Sequence, residues 1–221
     1  DPLMNVAIES SHCKLYGTDR AWDALYDALQ TAGGSGFLQT QPYEKRMRDA
    51  RVTTIFEGTS EIHTIYPPLT VFRSAAKEFK SLSGAIARWR RLRQITHGTH
   101  VNQIQVRHEV LHRAIQVARQ SEKQFRKHLR FGLTKLGKSV STQEYFLRKM
   151  TNLSLSAYWL VATAVMLHDR YGAELPEDLV PIVEYLIAEA VEVQERSSSR
   201  TTTPRERAAT QSVETMVKPE R

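Results

Sequence analysis

One carboxylate, Glu57, lies in the segment of this chain whose residue order points most clearly to chemistry, MRDARVTTIFEGTSEI at residues 47–62. Apolar Ile55 and Phe56 precede it, and Gly58 allows the backbone to turn or to approach a ligand closely. We therefore expect Glu57 in a turn, half shielded by the two apolar side chains. Desolvation of that kind makes a glutamate a useful base near neutral pH, so the segment predicts proton abstraction.

The residues after this glycine, Thr59, Ser60 and Glu61, predict the start of a helix. The hydroxyl of Thr59 or Ser60 can cap the free amide groups of the first helical turn. Glu57 is thus expected beside a helix N-terminus.

A pair of glycines, Gly33 and Gly34, lies upstream in ALQTAGGSGF at residues 28–37. A glycine at a helix end supplies the positive φ that ends the helix, and a backbone without side chains also lets another molecule lie against it. The glycines alone leave both interpretations open, a plain helix end and a binding surface. They are not the G-x-G-x-x-G that follows a strand, so they do not predict a Rossmann fold.

The two segments, in this order and at this spacing, resemble the C-terminal part of the acyl-CoA dehydrogenases. That family has an arginine–aspartate pair, a short hydrophobic run and then (Tyr/Phe)-Glu-Gly-Thr, as in Arg48-Asp49 and in residues 56–59 here. The similar part runs from about Pro2 to about Tyr66, under a third of the chain.

The resemblance implies a reaction for Glu57. It would remove the α-proton of a fatty acyl-CoA while the β-hydrogen leaves as hydride to FAD, which gives a trans-2-enoyl-CoA. The enolate oxygen would accept hydrogen bonds from the backbone N–H of Glu57 and from a flavin ribityl hydroxyl. The implied partners are a fatty acyl-CoA, further copies of the chain in a dimer or tetramer, and an electron-transfer flavoprotein. These residues do not include the family's N-terminal helical and middle β domains, so we expect this chain alone to be inactive.

The resemblance also assigns the other site residues. In the family, a Gln-x-x-Gly-Gly segment contacts the adenosine-diphosphate part of a flavin held mainly by a neighbouring subunit, and Gln30, Gly33 and Gly34 match it. The remaining assignments are two cofactor-contacting positions, Thr59 and Glu61, and two substrate-contacting positions, Phe56 and Gly58.

Composition bounds the class of protein. The chain has 221 residues, 41% hydrophobic and 25% charged, the balance of a soluble globular protein.

It begins at Asp1 and shows no signal peptide, so we expect a fragment or a processed chain. Its one cysteine excludes an internal disulfide and fits a reducing compartment, the cytosol or a mitochondrial matrix. The net charge of +7 favours an anionic partner, which coenzyme A, an acidic lipid surface and nucleic acid all satisfy.

Helical periodicity dominates, and no stretch alternates as a strand does, so the sequence predicts an all-α fold. We expect the C-terminal helical-bundle domain of an acyl-CoA dehydrogenase at residues 1–68, an additional antiparallel helical region at 69–196 and a disordered tail at 197–221. The expected helices are 3–32, 44–49, one from 59 that Pro67 and Pro68 end, 101–136, one to Tyr171 that Ser141 and Glu144 open as a capping box, and 176–196.

Two of these helices carry informative faces. An uncharged run, Thr151–Leu167, is at the lower limit for spanning a bilayer and contains several polar groups, so we expect a central bundle helix. The last helix is expected to face inward with a stripe of aliphatic residues: Leu179, Ile182, Val183, Leu186, Ala190 and Val193.

A competing motif, H-E-x-x-H, stands at His108, Glu109 and His112. On one helix the two histidines would lie a turn apart and share a zinc ion, with Glu109 as base for a bound water, the chemistry of a zinc hydrolase. Such a site needs a third protein ligand, and no downstream acidic residue stands in a recognisable ligand motif. We therefore keep the zinc hydrolase as the lesser alternative and expect a solvated helix face without a metal.

A basic stretch is the other competing feature, with nine Lys or Arg against two acids between Arg107 and Lys138. It fits a solvated helix face or a peripheral contact with an anionic membrane. Very-long-chain members of the resembled family carry a C-terminal helical extension associated with the membrane, so a non-catalytic membrane- or partner-docking module is the second hypothesis. No nucleic-acid-binding motif accompanies the charge, and we expect no nucleic-acid partner.

Overall fold

The computed structural model describes residues 6–97 and 104–199, together with Thr201, Thr203, Pro204, Glu206 and Ala208. These residues form helices, turns and loops without a strand, which confirms the predicted all-α class. The α-helices are α1 (Ala7–Thr31), α2 (Tyr43–Thr53), α3 (Ser60–Ser81), α4 (Ala85–His97), α5 (Glu109–Phe131), α6 (Glu144–Tyr171) and α7 (Val180–Arg196). The short elements are 3₁₀ segments Gly33–Phe37, Gly137–Thr142 and Glu177–Leu179 and a π turn, Gly132–Leu136. The chain divides into two compact units, Asp1–Thr70 and Val71–Arg221.

In the first unit, α1 and α2 pack on each other. Arg51 of α2 lies over the ring of Trp22 of α1, with 5.6 Å between the guanidinium carbon and the ring centroid. The end of α1 agrees with the prediction, α2 is longer than the predicted 44–49, and the predicted helix start at residue 3 lies outside the described residues. The glycine-rich turn after α1 is packed against it, since a Cβ added at Gly36 would lie 2.8 Å from the carbonyl oxygen of Leu29.

Helix α3 passes through both Pro67 and Pro68. The prediction that these prolines end the helix is wrong. Each proline removes one backbone hydrogen bond and crowds the carbonyl four residues earlier. Both rings are buried. Burial of the apolar rings offsets part of the cost of the lost hydrogen bonds.

The second unit is built around α5, α6 and α7, which pack on one another. Its core consists of buried aliphatic side chains from all three helices, including Leu111, Ile115, Ala118, Leu160, Ala164, Val183, Ile187 and Ala190. Helix α5 begins at Glu109 rather than at the predicted residue 101. His108 has extended backbone with a ψ of 138° and caps the helix by accepting a hydrogen bond from the Val110 N–H.

Helix α6 begins at Glu144, and the predicted capping box of Ser141 and Glu144 is wrong. Ser141 lies in the preceding 3₁₀ segment and donates its hydroxyl to the Lys138 carbonyl at 3.2 Å. Among the described helices, α6 alone has the length and apolar composition to cross a membrane. It packs against α5 and α7 and fully buries Met150 and Leu153, as expected of a bundle helix.

Helix α7 faces the core with Val183, Ile187 and Ala190. The predicted stripe is wrong at Ile182, which is 54% exposed. The buried positions follow the i, i+4, i+7 spacing of one helical face, which adds Ile187 to the predicted stripe, and Leu186 packs against the core as predicted.

The residues after α7 contact the bundle. Lys149 of α6 donates to the Thr201 carbonyl at 3.2 Å and forms an ion pair with Glu206 at 3.0 Å. The Nε2 atom of His128 on α5 lies 3.3 Å from the carbonyl oxygen of Ser199. Of the tail predicted to be disordered, residues 200, 202, 205, 207 and 209–221 lie outside the described residues.

Candidate active site

The Glu57 turn joins α2 to α3 and is closed by backbone hydrogen bonds. The N–H of Ser60 donates to the Thr54 carbonyl at 3.1 Å, and the N–H of Phe56 donates to the Val52 carbonyl at 3.0 Å. Glu57 has a φ of 57° and is the one residue other than glycine, among those described, with a positive φ. Because this left-handed conformation costs an ordinary residue about 1–2 kcal/mol, Glu57 is held there by its surroundings.

Two residues of α1 and one of α3 brace this turn. The Nε2 atom of His63 lies 3.1 Å from the carbonyl oxygen of Glu57, and its Nδ1 lies 2.8 Å from the Ser11 hydroxyl. Lys14, three residues after Ser11 on α1, donates to the Gly58 carbonyl at 2.6 Å. The carbonyl groups on both sides of the Gly58 Cα are therefore fixed by side chains from other elements.

The Glu57 side chain is exposed, as are those of Ile55 and Phe56, at 53% and 50%. The prediction that these apolar residues half shield the carboxylate is wrong within this chain, because no described element of the first unit covers the turn. Val52 and Ile62, on the two helices that the turn joins, are likewise apolar and 51% and 52% exposed. An exposed apolar surface around a carboxylate is typical of a place that a ligand or another polypeptide covers.

The amide groups at this turn are available to a ligand. Within the described part of the chain, the backbone N–H groups of Glu57, Gly58 and Thr59 have no hydrogen-bond acceptor. The hydroxyl of Thr59 accepts a long hydrogen bond of 3.4 Å from the Ile62 N–H, so Thr59 caps α3 as predicted. Free amides at a helix N-terminus favour an oxygen atom that carries negative charge.

The two glycines differ in whether the described structure requires glycine at their position. Gly33 has a φ of +60°, the conformation that ends α1 and that favours glycine. Gly34 has no positive φ, and a Cβ added there would meet nothing within 4 Å. The described residues therefore give no reason for glycine at position 34, whereas close approach of another molecule would give one. Gln30, Gly33 and Gly34 are all exposed.

The H-E-x-x-H residues do not share one helix, which corrects the prediction of a common helix face. His108 lies before α5, where its Nδ1 accepts from the Val110 N–H at 3.3 Å. His112 lies within α5, and its Nδ1 is 3.3 Å from the side-chain nitrogen of Gln116. Across residues 6–97 and 104–199, no three His, Cys, Asp or Glu side chains are grouped as metal ligands.

Sequence patterns did not identify His63, Ser11 or Lys14 as site residues. His63 lies six residues after Glu57, but its contact with Ser11 spans 52 positions and that of Lys14 with Gly58 spans 44. Contacts over such separations depend on how α1 packs beside the turn, and no local motif encodes them.

Comparisons with known proteins bear on both parts of the chain. The family model described as Acyl-CoA dehydrogenase, C-terminal domain, matches residues 3–66. The very long-chain specific acyl-CoA dehydrogenase, mitochondrial, of Bos taurus is 25% identical over 167 residues, which are 70% of this chain and 26% of that protein. The acyl-CoA dehydrogenase of Bacillus subtilis is 42% identical over 62 residues, 28% of this chain and 16% of that protein. The predicted resemblance is therefore confirmed, and this chain spans about a quarter of the bovine relative.

A solved structure shares the fold over almost the whole chain. The acyl-CoA dehydrogenase complexed with FAD from Bacillus anthracis covers 97% of this chain with a TM-score of 0.70, at 21% identity, and the chain covers 36% of that structure. The helices of both units therefore have counterparts in one solved protein.

Proposed function

Because residues 3–66 match the C-terminal domain of the acyl-CoA dehydrogenases, we propose that this chain supplies the base of a flavin-dependent acyl-CoA dehydrogenase. Glu57 would abstract the α-proton of a fatty acyl-CoA, and the product would be a trans-2-enoyl-CoA. The observation that supports this most is the Glu57 turn. A strained glutamate there has a carboxylate and an unused amide N–H in one residue, inside an exposed apolar surface.

The two groups of Glu57 have complementary tasks in this reaction. A carboxylate oxygen takes the proton from the α-carbon, and the electron pair left behind is delocalised onto the thioester oxygen. The N–H of Glu57 donates to that oxygen and stabilises its negative charge, as oxyanion donors do. The chemistry that a bound FAD supplies is acceptance of the β-hydrogen as hydride. Coverage of Ile55 and Phe56 by the acyl chain and by other parts of the enzyme would exclude water and strengthen both interactions.

The cofactor surface that we propose consists of two groups of residues. Gln30, Gly33 and Gly34 would contact the adenosine-diphosphate part of FAD, held mainly by a neighbouring subunit of a homo-oligomer. Thr59 and Glu61 would contact the same cofactor from the start of α3. A carboxylate at Glu61 can accept a ribose hydroxyl but repels a pyrophosphate, so the ribose is its proposed partner.

The base assignment is tested with Glu57→Gln in the protein produced from its complete reading frame. We expect normal flavin content and a rate of flavin bleaching by acyl-CoA that is lower by roughly 10²–10⁴-fold, the usual worth of a general base. Asp27→Asn, an exposed acid on α1 outside the turn, is the matched control and should bleach at the wild-type rate. Rapid bleaching of the Glu57→Gln flavin would contradict the assignment.

We propose a second function for α4 and α5, peripheral contact with an anionic membrane. Lys123, Lys127 and Arg130 are exposed on one face of α5, and none forms an ion pair with a described residue. On α4, Ile86 and Trp89 are 70% and 57% exposed beside further arginines. Basic helices with exposed apolar anchors bind acidic head groups at the membrane surface. The proposed location is a mitochondrial matrix or the cytoplasm, with contact to a membrane.

Sedimentation with vesicles tests this second function. We expect the chain to pellet with phosphatidylserine-containing vesicles at low salt and to be released at high salt, because salt screens the attraction. Charge reversal of Lys123, Lys127 and Arg130 together should abolish pelleting, whereas Lys45→Glu on α2 should not. Equal pelleting with pure phosphatidylcholine vesicles would refute an electrostatic contact.

A further inference from the structure

The carbonyl oxygen of Glu57 has its own hydrogen-bond donor. The Nε2 atom of His63 lies 3.1 Å from it, and because a carbonyl oxygen only accepts, Nε2 must carry a proton. In a neutral ring Nδ1 is then the acceptor, and the Ser11 hydroxyl, 2.8 Å away, donates to it. Ser11 is 3% exposed, so a buried hydroxyl sets the tautomer of His63.

The His63 ring also lies directly on the residue after Glu57. Gly58 has a φ of +91°, and a Cβ added there would lie 2.9 Å from Nε2 of His63. Lys14 holds the next carbonyl, that of Gly58, at 2.6 Å. Rotation of Glu57 out of its left-handed conformation would turn its carbonyl away from Nε2 and break the hydrogen bond.

No second contact duplicates this one. Among the described residues, His63 makes the sole hydrogen bond to Glu57, through either its backbone or its side chain. The hydrogen bond from the Ser60 N–H to the Thr54 carbonyl closes the loop but leaves Glu57 itself unfixed. The conformation of the proposed base therefore depends on one imidazole.

We infer that His63 is a positioning residue, oriented by its hydrogen bond with Ser11. It keeps the backbone of Glu57 in the left-handed conformation, which directs the carboxylate and the free N–H of Glu57 toward the thioester. This inference rests on the proposed function, since positioning for proton abstraction presupposes that Glu57 is the base. His63 acts through the Glu57 carbonyl and does not itself transfer the proton.

The structural part of the test uses nuclear magnetic resonance on the 221-residue chain. His63→Phe keeps a flat ring over Gly58 but removes the donor, whereas His63→Gln keeps an N–H donor. The matched control is Thr70→Val, which removes a different side-chain hydrogen bond from α3, the one of 2.9 Å to the Tyr66 carbonyl. We expect the three-bond coupling that reports φ of Glu57 to change in His63→Phe and to stay at its wild-type value in the other two variants.

The catalytic part uses the flavin-loaded protein from the complete reading frame. His63→Phe should lower kcat roughly ten- to a hundredfold, because misplacement of a reacting group by about 1 Å costs up to that much, while KM and flavin content stay nearly constant. His63→Gln should restore most of the rate, which a packing role of the imidazole ring would not allow.

Three outcomes would overturn the inference: an unchanged φ coupling in His63→Phe, a changed coupling with an unchanged kcat, and equal losses of kcat in His63→Phe and His63→Gln. The proposed function fails separately, if Glu57→Gln bleaches its flavin normally. In that case the coupling measurement still decides whether His63 holds Glu57, and the inference about catalysis falls with the base assignment.

Discussion

At the scale of single residues, Glu57 has a strained backbone conformation and polar groups that are available to a ligand. Its left-handed backbone is costly, and its amide and carboxylate remain unused by the described residues, a pairing that stabilisation of the fold alone does not explain. The sequence order identified Glu57 and Gly58, because a glycine beside an acid is a local signal. It could not identify Ser11 or His63, because their contact depends on tertiary packing. The predicted shielding by Phe56 was wrong, since apolar character does not tell whether a neighbour covers a side chain.

Gly34 gives a prediction at this scale. We expect Gly34→Val to lower the flavin content of the protein from its complete reading frame, because the side chain would occupy space that the described residues leave open. The fold of the chain should be unaffected, since the added Cβ meets nothing within 4 Å. Absorbance in the flavin bands per protein, together with circular dichroism, measures both effects.

Gly17→Val is the matched control, because Gly17 is exposed on α1 and also has no atom within 4 Å of an added Cβ. It should keep its flavin. Equal flavin content in Gly34→Val and the wild type would argue against a cofactor contact at Gly34.

At the scale of elements, local sequence patterns predicted which segments form helices more accurately than they predicted where each helix begins and ends. The long apolar periodicities predicted α5, α6 and α7, and all three helices bury aliphatic side chains in the core. The start of α5 was wrong by several residues, because His108 caps the helix and no periodicity encodes a cap. The error at Pro67 and Pro68 has a tertiary cause, since burial of both rings offsets part of what the helix loses.

The contact between the end of the chain and α6 gives a prediction at this scale. We expect Glu206→Gln to lower the free energy of unfolding by about 1–3 kcal/mol, because Lys149, which is largely buried, loses a charged acceptor. Urea unfolding at neutral pH measures this loss. Glu192→Gln, which breaks the exposed pair with Arg196, is the control and should cost at most about 1 kcal/mol.

The same contact should depend on pH. Burial raises the pKa of Glu206, but hydrogen bonds from Thr203 and the ion pair with Lys149 outweigh burial and bring that pKa below the ordinary value of 4.5. A lowered pKa in the folded state contributes stability that is present above 4.5 and is lost as the pH falls through the folded value. The difference between wild type and Glu206→Gln should therefore shrink on acidification. A constant difference would show that the carboxylate charge has no part in the contact.

At the scale of the whole molecule, the chain joins a unit that contains the proposed base to a basic helical unit. The all-α class followed from periodicity, and the resemblance to the acyl-CoA dehydrogenases followed from two motifs in the first unit, which the matching family model at residues 3–66 confirms. The chain spans 26% of the bovine relative.

Exchange of the substrate α-proton with solvent tests the central claim most directly. The protein from the complete reading frame is incubated without oxygen in deuterium oxide with a saturated fatty acyl-CoA, and deuterium at the α-carbon is measured by mass spectrometry. We predict incorporation with the wild type and with Asp27→Asn, and none above the enzyme-free rate with Glu57→Gln. Incorporation by Glu57→Gln at the wild-type rate would contradict the account, since another group would then be removing the proton.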